Sequence, residues 1–440
     1  MEKHTKLINF IKGLVIVAVA VVILIGLSKI LLLKSEDGVN QMQAFYKQPE
    51  NSIDVIFLGS SRIYCDIATG VLWDNYGIAA YDLGGAEAPS WVSYYQLKEA
   101  LRTQRPKVIC YEISSVARVE MLTQANNWAS DNNYGMKWGS NRIDQLKVNS
   151  TEEEFYQRLN PFNIMHGRYK DLTENDFRNV RDTVNYKGFD PRDRIWEMET
   201  PDIDSYTDIE PCSEKEEEYI TKLIELARSE DIPIILFASP FDTNESEQAI
   251  HNYVWTIAER EGAEYIDFNT RYDEIGMDYS CDMADTGHLN YSGNYKFTNY
   301  FGGLLKSEFD LPDRREDPRY DSWNWDSSIQ KYERIDSRII SSEDAVEVLT
   351  LAQKGYIVFG ISNGNAVVID DGVSVAEGSG EFRIPYESGE DTFLFVDENE
   401  AEFDHYCSLF INDKRYRENY GNILFVYDKV RHEYVRSMEF

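Results

Sequence analysis

The chain has 440 residues, 42% of them hydrophobic, and a formal net charge of −33. This length favours two or three domains, and the apolar content is enough for real cores. So negative a surface repels nucleic acid, and no stretch is basic enough to bind it, so we expect no nucleic-acid partner.

An apolar segment near the N-terminus predicts a membrane anchor. Three lysines within the first twelve residues precede a nearly continuous apolar run from Gly13 to Leu33. About 20 such residues cross a bilayer, and a basic flank stays on the cytoplasmic side. We therefore predict a cytoplasmic tip and single transmembrane anchor at 1–35, with the bulk of the chain extracytoplasmic. A cleaved signal peptide is the alternative, but no small-x-small cleavage motif precedes Ser35.

The cysteines predict neither a disulfide scaffold nor a metal site. Their number is odd, no CxxC pair occurs, and no Cys/His spacing suits zinc. We expect no metal and no cofactor, and Cys110, within an apolar run, is expected in the core. The five are Cys65, Cys110, Cys212, Cys281 and Cys407.

After a polar linker at 36–52, strand-like and helix-like segments alternate as far as residue 312. Such alternation predicts an α/β domain with a parallel sheet and helices on both faces. In such sheets, sites gather beyond the carboxyl ends of the strands, where Gly59, Ser60 and Ser61 stand. Strands are predicted near 54–59, 78–83, 106–114, 233–241 and 263–268, and helices at 93–104, 214–232, 245–262 and 291–309.

Residues 115–212 interrupt this alternation and are rich in Asn, Asp and aromatic residues. We interpret them as an insertion within the 53–312 domain, helical in character, that covers or flanks a site.

The chain changes character after a charged, proline-containing junction at 313–334, which we interpret as a linker. A capped helix is predicted at 341–352, and short β-rich segments dominate from there to the end. These features predict a separate β domain at 335–440.

One histidine in the α/β region has the surroundings of a catalytic base. His288 lies in a Gly-containing loop before a predicted helix, and Asp285 stands three residues earlier. At that spacing on a turn, a carboxylate accepts from one imidazole nitrogen and leaves the other to face a serine. The alternative is a helix-capping aspartate beside a surface histidine, and the spacing alone leaves both open.

The segments FLGSSR, residues 57–62, and DTGH, residues 285–288, resemble the SGNH (GDSL-type) hydrolase superfamily. That superfamily carries Gly-Asp-Ser after its first strand and Asp-x-x-His near its end. The resemblance implies a three-layer, flavodoxin-like α/β domain. It also implies Ser61 as nucleophile, His288 as base and Asp285 as the acid that orients it. Ser60 departs from the pattern, because it stands in place of the superfamily's Asp and would only shape the turn.

The resemblance also implies an oxyanion hole. One donor would be the backbone N–H of Ser61, and the second would come from the turn LGGAE, residues 83–87, which we assign to Gly85. Each such donor is worth about 10²–10³ in rate.

Arg62 follows the nucleophile at the start of a helix, where the helix dipole disfavours a cation. A role in the site is one interpretation, either holding an acidic sugar or pairing with Asp66 or Glu112. The alternative is a surface arginine whose aliphatic stem lies on Tyr64.

One difference from the superfamily pattern favours a particular branch of the superfamily. YEISSV, residues 111–116, stands where the superfamily has Gly-x-Asn-Asp, so the Asn of that block is missing. This favours the membrane-anchored bacterial branch that resembles proteins of alginate acetylation and teichoic-acid D-alanylation. That branch implies a cell-surface polysaccharide as substrate and a membrane-bound O-acyltransferase as the acyl-donating partner.

The C-terminal part has a weaker likeness of its own. GNILFVYD, residues 421–428, is similar to the core of the interleukin-like EMT inducer domain, a lectin-like β module. The likeness implies a domain that binds carbohydrate or a partner, and a packing module is the alternative.

These observations leave several functions open. A serine acyltransferase and an esterase share one acyl-enzyme, so the sequence does not separate them. A catalytically silent protein that binds glycan or scaffolds a modification complex is the alternative from another class. A nucleotide-binding protein is disfavoured, because LGSSR matches neither the Walker pattern nor GxGxxG.

Overall fold

The chain forms two units, Met1–Asn324 and Trp325–Phe440, in a computed structural model. The structure describes residues 2–32, 38–118, 132–159, 162, 165–178, 186–401 and 404–440. The predicted end of the anchor at residue 35 lies outside these ranges.

The helices of the described chain are numbered in chain order. They are α1 Glu2–Leu31, α2 Val39–Phe45, α3 Ser61–Asp66, α4 Thr69–Tyr76, α5 Ser90–Ala100, α6 Ser140–Val148, α7 Glu152–Arg158, α8 Glu174–Arg178, α9 Glu214–Ser229, α10 Glu245–Glu261, α11 Tyr272–Ile275, α12 Tyr291–Glu308, α13 Asp321–Ser341 and α14 Ala345–Leu351.

Five parallel strands form the sheet of the first unit, in the order β2-β1-β3-β4-β5. This is the order of flavodoxin-like folds, and the prediction of a parallel sheet is confirmed. The strands are β1 Val55–Gly59, β2 Ala80–Gly84, β3 Val108–Glu112, β4 Ile234–Ala238 and β5 Glu264–Asp267.

Helices cover both faces of this sheet, which gives three layers. Successive side chains of a strand point to opposite faces. Ile56 and Leu58 accordingly pack into a core with residues of α2, α5, α9 and α10. Val55 and Phe57 pack into a second core with residues of α3, α4 and α12. Because both faces are covered, β1 to β4 are buried throughout their length.

The first helix fits the predicted anchor by length and composition. Lys6–Leu31 has a mean hydropathy of 2.9 in its most apolar window, of which 6% is buried. At its C-terminal end, Arg168 Nη1 donates to the carbonyls of Leu31 and Leu32 at 2.8 and 2.9 Å. A cation at this position complements the end of the helix dipole.

The linker predicted at 36–52 is wrong over the part that the structure describes. Residues Val39–Phe45 form α2, in which Val39, Met42 and Phe45 are buried at a spacing of three residues. Tyr81 Oη also donates to the carbonyl of Gln41 at 2.7 Å. The polar residues between these apolar positions obscured the helical pattern of a segment that packs onto the sheet.

The insertion at 115–212 is only partly helical. Helices α6, α7 and α8 and three short 3₁₀ turns lie within it, and residues 119–131, 160–161, 163–164 and 179–185 lie outside the described chain. Residues 186–212, all described, contain one 3₁₀ turn, Ile203–Ser205, and no α-helix, so the helical prediction is wrong there. This stretch contains Pro191, Pro201 and Pro211. A proline inside a helix removes a backbone hydrogen bond and breaks the helix.

The linker predicted at 313–334 is also wrong in part, because α13 begins at Asp321 and the division between the two units falls inside it. Trp323 is buried in the first unit's core, against Trp73 and Tyr320. The charged residues around Trp323 in the sequence did not indicate that its ring packs into the core.

The second unit contains two antiparallel sheets that share one core. Their orders are β12-β11-β10-β9 and β14-β13-β6-β7-β8, and residues of both sheets fill the core. The strands are β6 Tyr356–Ser362, β7 Asn365–Asp370, β8 Val373–Ser379, β9 Arg383–Ser388, β10 Asp391–Ala401, β11 Asp404–Ile411, β12 Lys414–Asn419, β13 Ile423–Asp428 and β14 Glu433–Glu439.

Candidate active site

The turn after β1 places two serines at the carboxyl end of the sheet. Gly59 has φ 144°, and a Cβ there would lie 2.9 Å from both Cβ and O of Glu112 on the neighbouring strand. Only glycine fits so close an approach at positive φ. Ser60 then caps α3 in an extended conformation, and Ser61 is the first residue of that helix.

The two serine hydroxyls have different partners. Ser60 Oγ donates to Glu112 Oε2 at 3.3 Å, behind the turn. Ser61 Oγ lies 2.7 Å from Nε2 of His288. The structure thus separates a serine that shapes the turn from one that meets an imidazole.

The loop before α12 presents His288. Asn290 caps α12 by accepting from the amides of Ser292 and Gly293, and the His288 carbonyl accepts from the amide of Ala284 at 2.8 Å. These backbone bonds fold the loop back on itself, so that Asp285 reaches the imidazole three residues later.

Asp285 holds the other nitrogen of His288. Both carboxylate oxygens lie 3.0 Å from Nδ1, and Oδ1 also accepts from the Gly287 amide at 2.7 Å. With Nδ1–H donating to Asp285, Nε2 is left as an acceptor for the Ser61 hydroxyl. Partial burial raises the pKa of Asp285, but hydrogen bonds from His288 and Gly287 outweigh it and bring the pKa to about 2.

A buried carboxyl ties this loop to the helix that carries the serine. Asp66, at the end of α3, accepts from the amide of Leu289 at 2.8 Å. Burial raises the pKa of Asp66 well above its ordinary value, although the Leu289 amide opposes the shift. The bond fixes the residue after His288 against the element that begins with Ser61.

Glu112 supports the turn from the end of β3. It is fully buried and accepts from Ser60, from the amide and hydroxyl of Ser114, and from Ser239. From the sequence, Glu112 was considered as a partner of Arg62. Its role in the structure is to gather three hydroxyls and an amide behind the nucleophile turn.

The assignment of Gly85 as an oxyanion donor is wrong, because its N–H donates to the carbonyl of Gly59 at 3.1 Å. That bond joins the two turns at the carboxyl ends of β1 and β2. The amides of Ser61 and Ala86 make no hydrogen bond within the described chain, and both residues line the cavity at the site. They are the donors that this geometry leaves available.

Arg62 is buried, with 4% of its surface exposed, so it is not a surface arginine. Its Nε donates to the Gly287 carbonyl at 2.9 Å, and its guanidinium lies 3.8 Å from the centre of the Phe241 ring. It forms no direct hydrogen bond or ion pair with Asp66 or Glu112, the two predicted partners, although the charges of both act on it. Burial lowers the pKa of Arg62, partly offset by the charge of Glu112.

These residues border a cavity of about 330 Å³. The sequence prediction named the turn that contains Ala86 but chose Gly85 within it, and it missed Arg118 and Arg192 of the insertion. No local motif marks these two arginines, since they reach the site only through the tertiary fold. The lining residues are Ser60, Ser61, Arg62, Tyr64, Ala86, Glu87, Ser115, Arg118, Arg192, Asp285, Gly287 and His288.

The described ranges hold no cluster of three or more His, Cys, Asp or Glu side chains arranged to bind a metal ion. Cys110 is buried in β3 as expected.

Comparison with known proteins yields distant structural likenesses only. No protein-family model and no curated protein matches the chain. It is similar to a protein assigned as an acylhydrolase from Bacteroides fragilis, at 10% identity and a TM-score of 0.30, over 62% of this chain and 98% of that one.

Two further solved structures are similar at the same level. An acetyl-xylooligosaccharide esterase from Geobacillus has 14% identity and a TM-score of 0.30, over 59% of this chain and 95% of its own. A protein assigned as a GDSL-like lipase from Parabacteroides merdae has 10% identity and a TM-score of 0.27, over 59% and 98%. Likenesses this weak carry no argument about activity, which has to rest on the geometry of the site.

Proposed function

We propose that this chain is a serine-dependent enzyme that forms an acyl-enzyme on Ser61. The observation that carries the proposal is the hydrogen-bonded series Ser61–His288–Asp285, with Nε2 of His288 2.7 Å from Ser61 Oγ. A nucleophile within hydrogen-bond reach of a base, which a third group orients, is the arrangement that nucleophilic catalysis requires.

In the first half-reaction, Ser61 Oγ attacks the carbonyl carbon of an ester while His288 Nε2 takes the hydroxyl proton. The negative charge of Asp285 stabilises the imidazolium that results. His288 then gives the proton to the departing alcohol oxygen, and the acyl group stays on Ser61 as an ester.

The tetrahedral intermediate needs hydrogen-bond donors for its oxygen. We assign this role to the amide of Ser61 and, in place of Gly85, to the amide of Ala86. The Ser61 amide is also at the first turn of α3, where N–H groups have no partner within the helix.

In the second half-reaction, His288 takes a proton from an acceptor hydroxyl, whose oxygen attacks the acyl carbon. His288 then gives that proton to Ser61 Oγ as the acyl–Oγ bond breaks, which restores the enzyme. Water as acceptor makes the enzyme an esterase, and a sugar hydroxyl makes it an acyltransferase. We propose O-acyl groups of a cell-surface polysaccharide as the substrate, with a membrane-bound O-acyltransferase as the acyl donor in the transfer case.

The proposed location is the cell membrane, with a cytoplasmic N-terminus and the α/β domain outside. The apolar helix Lys6–Leu31 and the three lysines within the first twelve residues support this proposal. The C-terminal β unit is proposed to bind carbohydrate or a partner.

A serine-directed fluorophosphonate tests the proposal on the full-length chain in detergent, with the labelled peptide mapped by mass spectrometry. We expect the label on Ser61, and its loss in Ser61→Ala and His288→Ala. Ser60→Ala is the matched control, because Ser60 Oγ turns to Glu112, and it should keep the label.

Absence of label from folded wild-type protein would contradict the acyl-enzyme. The result would favour the second candidate, a silent glycan-binding or scaffold protein of a modification complex. The missing Asn block at residues 111–116 and the added C-terminal β unit motivate that candidate, which requires Ser61→Ala to function normally.

A further inference from the structure

Arg62 is an unusual side chain for the wall of a catalytic cavity. It is more than nine-tenths buried, yet its only hydrogen bond within the described chain joins Nε to the Gly287 carbonyl. No carboxylate there forms an ion pair with it. Burying a charge without a direct ion pair is costly, and the charges of Glu112 and Asp66 offset that cost only in part.

The other two arginines of the cavity differ in this respect. Arg118 Nε lies 2.5 Å from Glu247 Oε1, and Arg192 Nη1 lies 3.0 Å from Asp190 Oδ2. Both are therefore paired within the protein. Arg62 is the arginine of the cavity that forms no ion pair within the described chain, so its terminal N–H groups remain for a ligand.

None of the acids near the cavity pairs directly with Arg62, although the charges of Glu112, Asp66 and Glu247 act on it. Asp285 is bound to His288 and to the Gly287 amide, and Glu87 also lines the cavity with an interaction of its own. The rest of the chain is strongly acidic, with a formal net charge of −33. Among the residues that line the cavity, by contrast, three arginines stand beside two acids, Glu87 and Asp285.

The position of Arg62 is fixed in three ways. Its Nε is held by Gly287, its face lies on the Phe241 ring at 3.8 Å, and its backbone follows Ser61 in α3. A guanidinium held in this manner offers its remaining N–H groups at little further entropic cost, and its planar fork matches a carboxylate or a phosphate.

We propose that this cavity binds substrates with an anionic group beside the ester, and that Arg62 is the residue that selects them. The anion is a carboxylate, as in a uronic acid, or a phosphate ester. Each of these groups presents two oxygens at the spacing of the two N–H donors of a guanidinium. This inference rests on the proposed function of Ser61, and it specifies in addition that the substrate is negatively charged.

Acetate release by the full-length protein in detergent tests the selection. The substrates are three acetylated methyl galactosides that differ only at C6, which carries a hydroxyl, a carboxylate or a phosphate. We expect wild-type kcat/KM to favour one anionic ester over the neutral one about tenfold or more, since a hydrogen bond to a charged group contributes at least about a factor of ten. The preferred anion distinguishes the carboxylate from the phosphate source.

In Arg62→Gln, the ratio of anionic to neutral kcat/KM should fall about tenfold. Arg62→Lys, which keeps the charge but not the fork, should lose part of the preference and guards against misfolding of the Gln variant. Arg319→Gln is the control, because Arg319 is exposed and pairs with Asp317, and its ratio should equal that of wild type. An equal ratio in wild type and both Arg62 variants would overturn the proposal.

A binding measurement separates this inference from the proposed function. Ser61→Ala is titrated with trigalacturonate, with galactose 6-phosphate and with neutral galactose, at low and high salt. Anion binding that salt weakens and that Ser61→Ala/Arg62→Gln lacks supports the anion site even if no ester is turned over. Ester turnover without Arg62-dependent binding overturns the anion site and leaves the proposed function standing.

Discussion

At the scale of single residues, the roles at the nucleophile turn follow from hydrogen-bond partners. Ser60 and Ser61 are adjacent and chemically identical, but Ser60 Oγ donates to Glu112 and Ser61 Oγ meets His288. The backbone conformation decides this difference, because Ser60 is extended and Ser61 is the first residue of helix α3. The role of each serine therefore depends on the side chain that its hydroxyl contacts.

The substitution Asp285→Asn tests the orienting carboxylate. The amide keeps the size of the side chain but removes the charge that stabilises a protonated His288, and it no longer selects the correct tautomer. We expect the labelling rate of Ser61 by fluorophosphonate to fall about 10³–10⁴-fold, as in other enzymes with this series of residues. Timed labelling of full-length protein measures the rate.

Asp273→Asn is the control for that substitution, because Asp273 is an exposed acid in the neighbouring helix α11. Its labelling rate should match wild type. A rate within threefold of wild type in Asp285→Asn would show that Asp285 is a capping residue and no part of catalysis.

At the scale of helices and strands, a buried glutamate joins α5 to α9. Glu216 is fully buried and accepts from the amide of Ser90 at 3.2 Å and from the Ser90 hydroxyl. Its other oxygen, Oε1, has no partner in the part of the chain described. Burial raises the pKa of Glu216 to about 7, although the bonds from Ser90 oppose the shift.

This shift predicts a pH dependence of stability with a definite sign. The folded protein holds the proton of Glu216 more tightly than the unfolded chain, so the glutamate destabilises the fold progressively as pH rises from about 4.5 towards 7. A shift from 4.5 to about 7 corresponds to on the order of 3 kcal/mol. Glu216→Gln should therefore gain thermal midpoint relative to wild type as pH rises through this window.

Scanning calorimetry of both proteins at pH 4.5, 6 and 7.5 measures that gain. Glu218→Gln, an exposed residue of the same helix paired with Lys222, should show no such trend. A difference between Glu216→Gln and wild type that stays constant with pH would mean that Glu216 is ionised in the fold at no cost.

The elements that the sequence predicted are those with strong apolar patterns. The buried runs of β1, β3 and β4 and the periodic helices α9, α10 and α12 were recognisable because both signals depend on local spacing alone. The strands β8, β9 and β12 were missed, since they are largely exposed and polar. Their pairing with neighbours, which no local pattern encodes, makes them strands.

At the scale of the whole molecule, the site lies within one unit. Every residue that lines the cavity belongs to Met1–Asn324, and so do both cores that pack against the parallel sheet. The second unit has a core of its own between two antiparallel sheets.

A chain that ends at residue 324 tests this division. It keeps Trp323, which is buried in the first unit's core, and we expect it to fold and to label at Ser61 within about twofold of the full-length rate. The Ser61→Ala variant of the shortened chain is the control. A folded but unlabelled shortened chain would show that the second unit is needed to complete the site.

The sequence by itself determined the parallel α/β core, the β-rich C-terminal unit and the apolar helix, because periodicity and composition act locally. It also singled out Ser61, His288 and Asp285 as candidates through two short motifs. Only the tertiary structure brought Ser61 within 2.7 Å of His288 across 227 positions of sequence. It likewise used the Gly85 amide to join two turns and left Arg62 without a direct ion pair. These outcomes depend on which backbone and side-chain groups meet when distant segments pack, and local patterns carry no information about that.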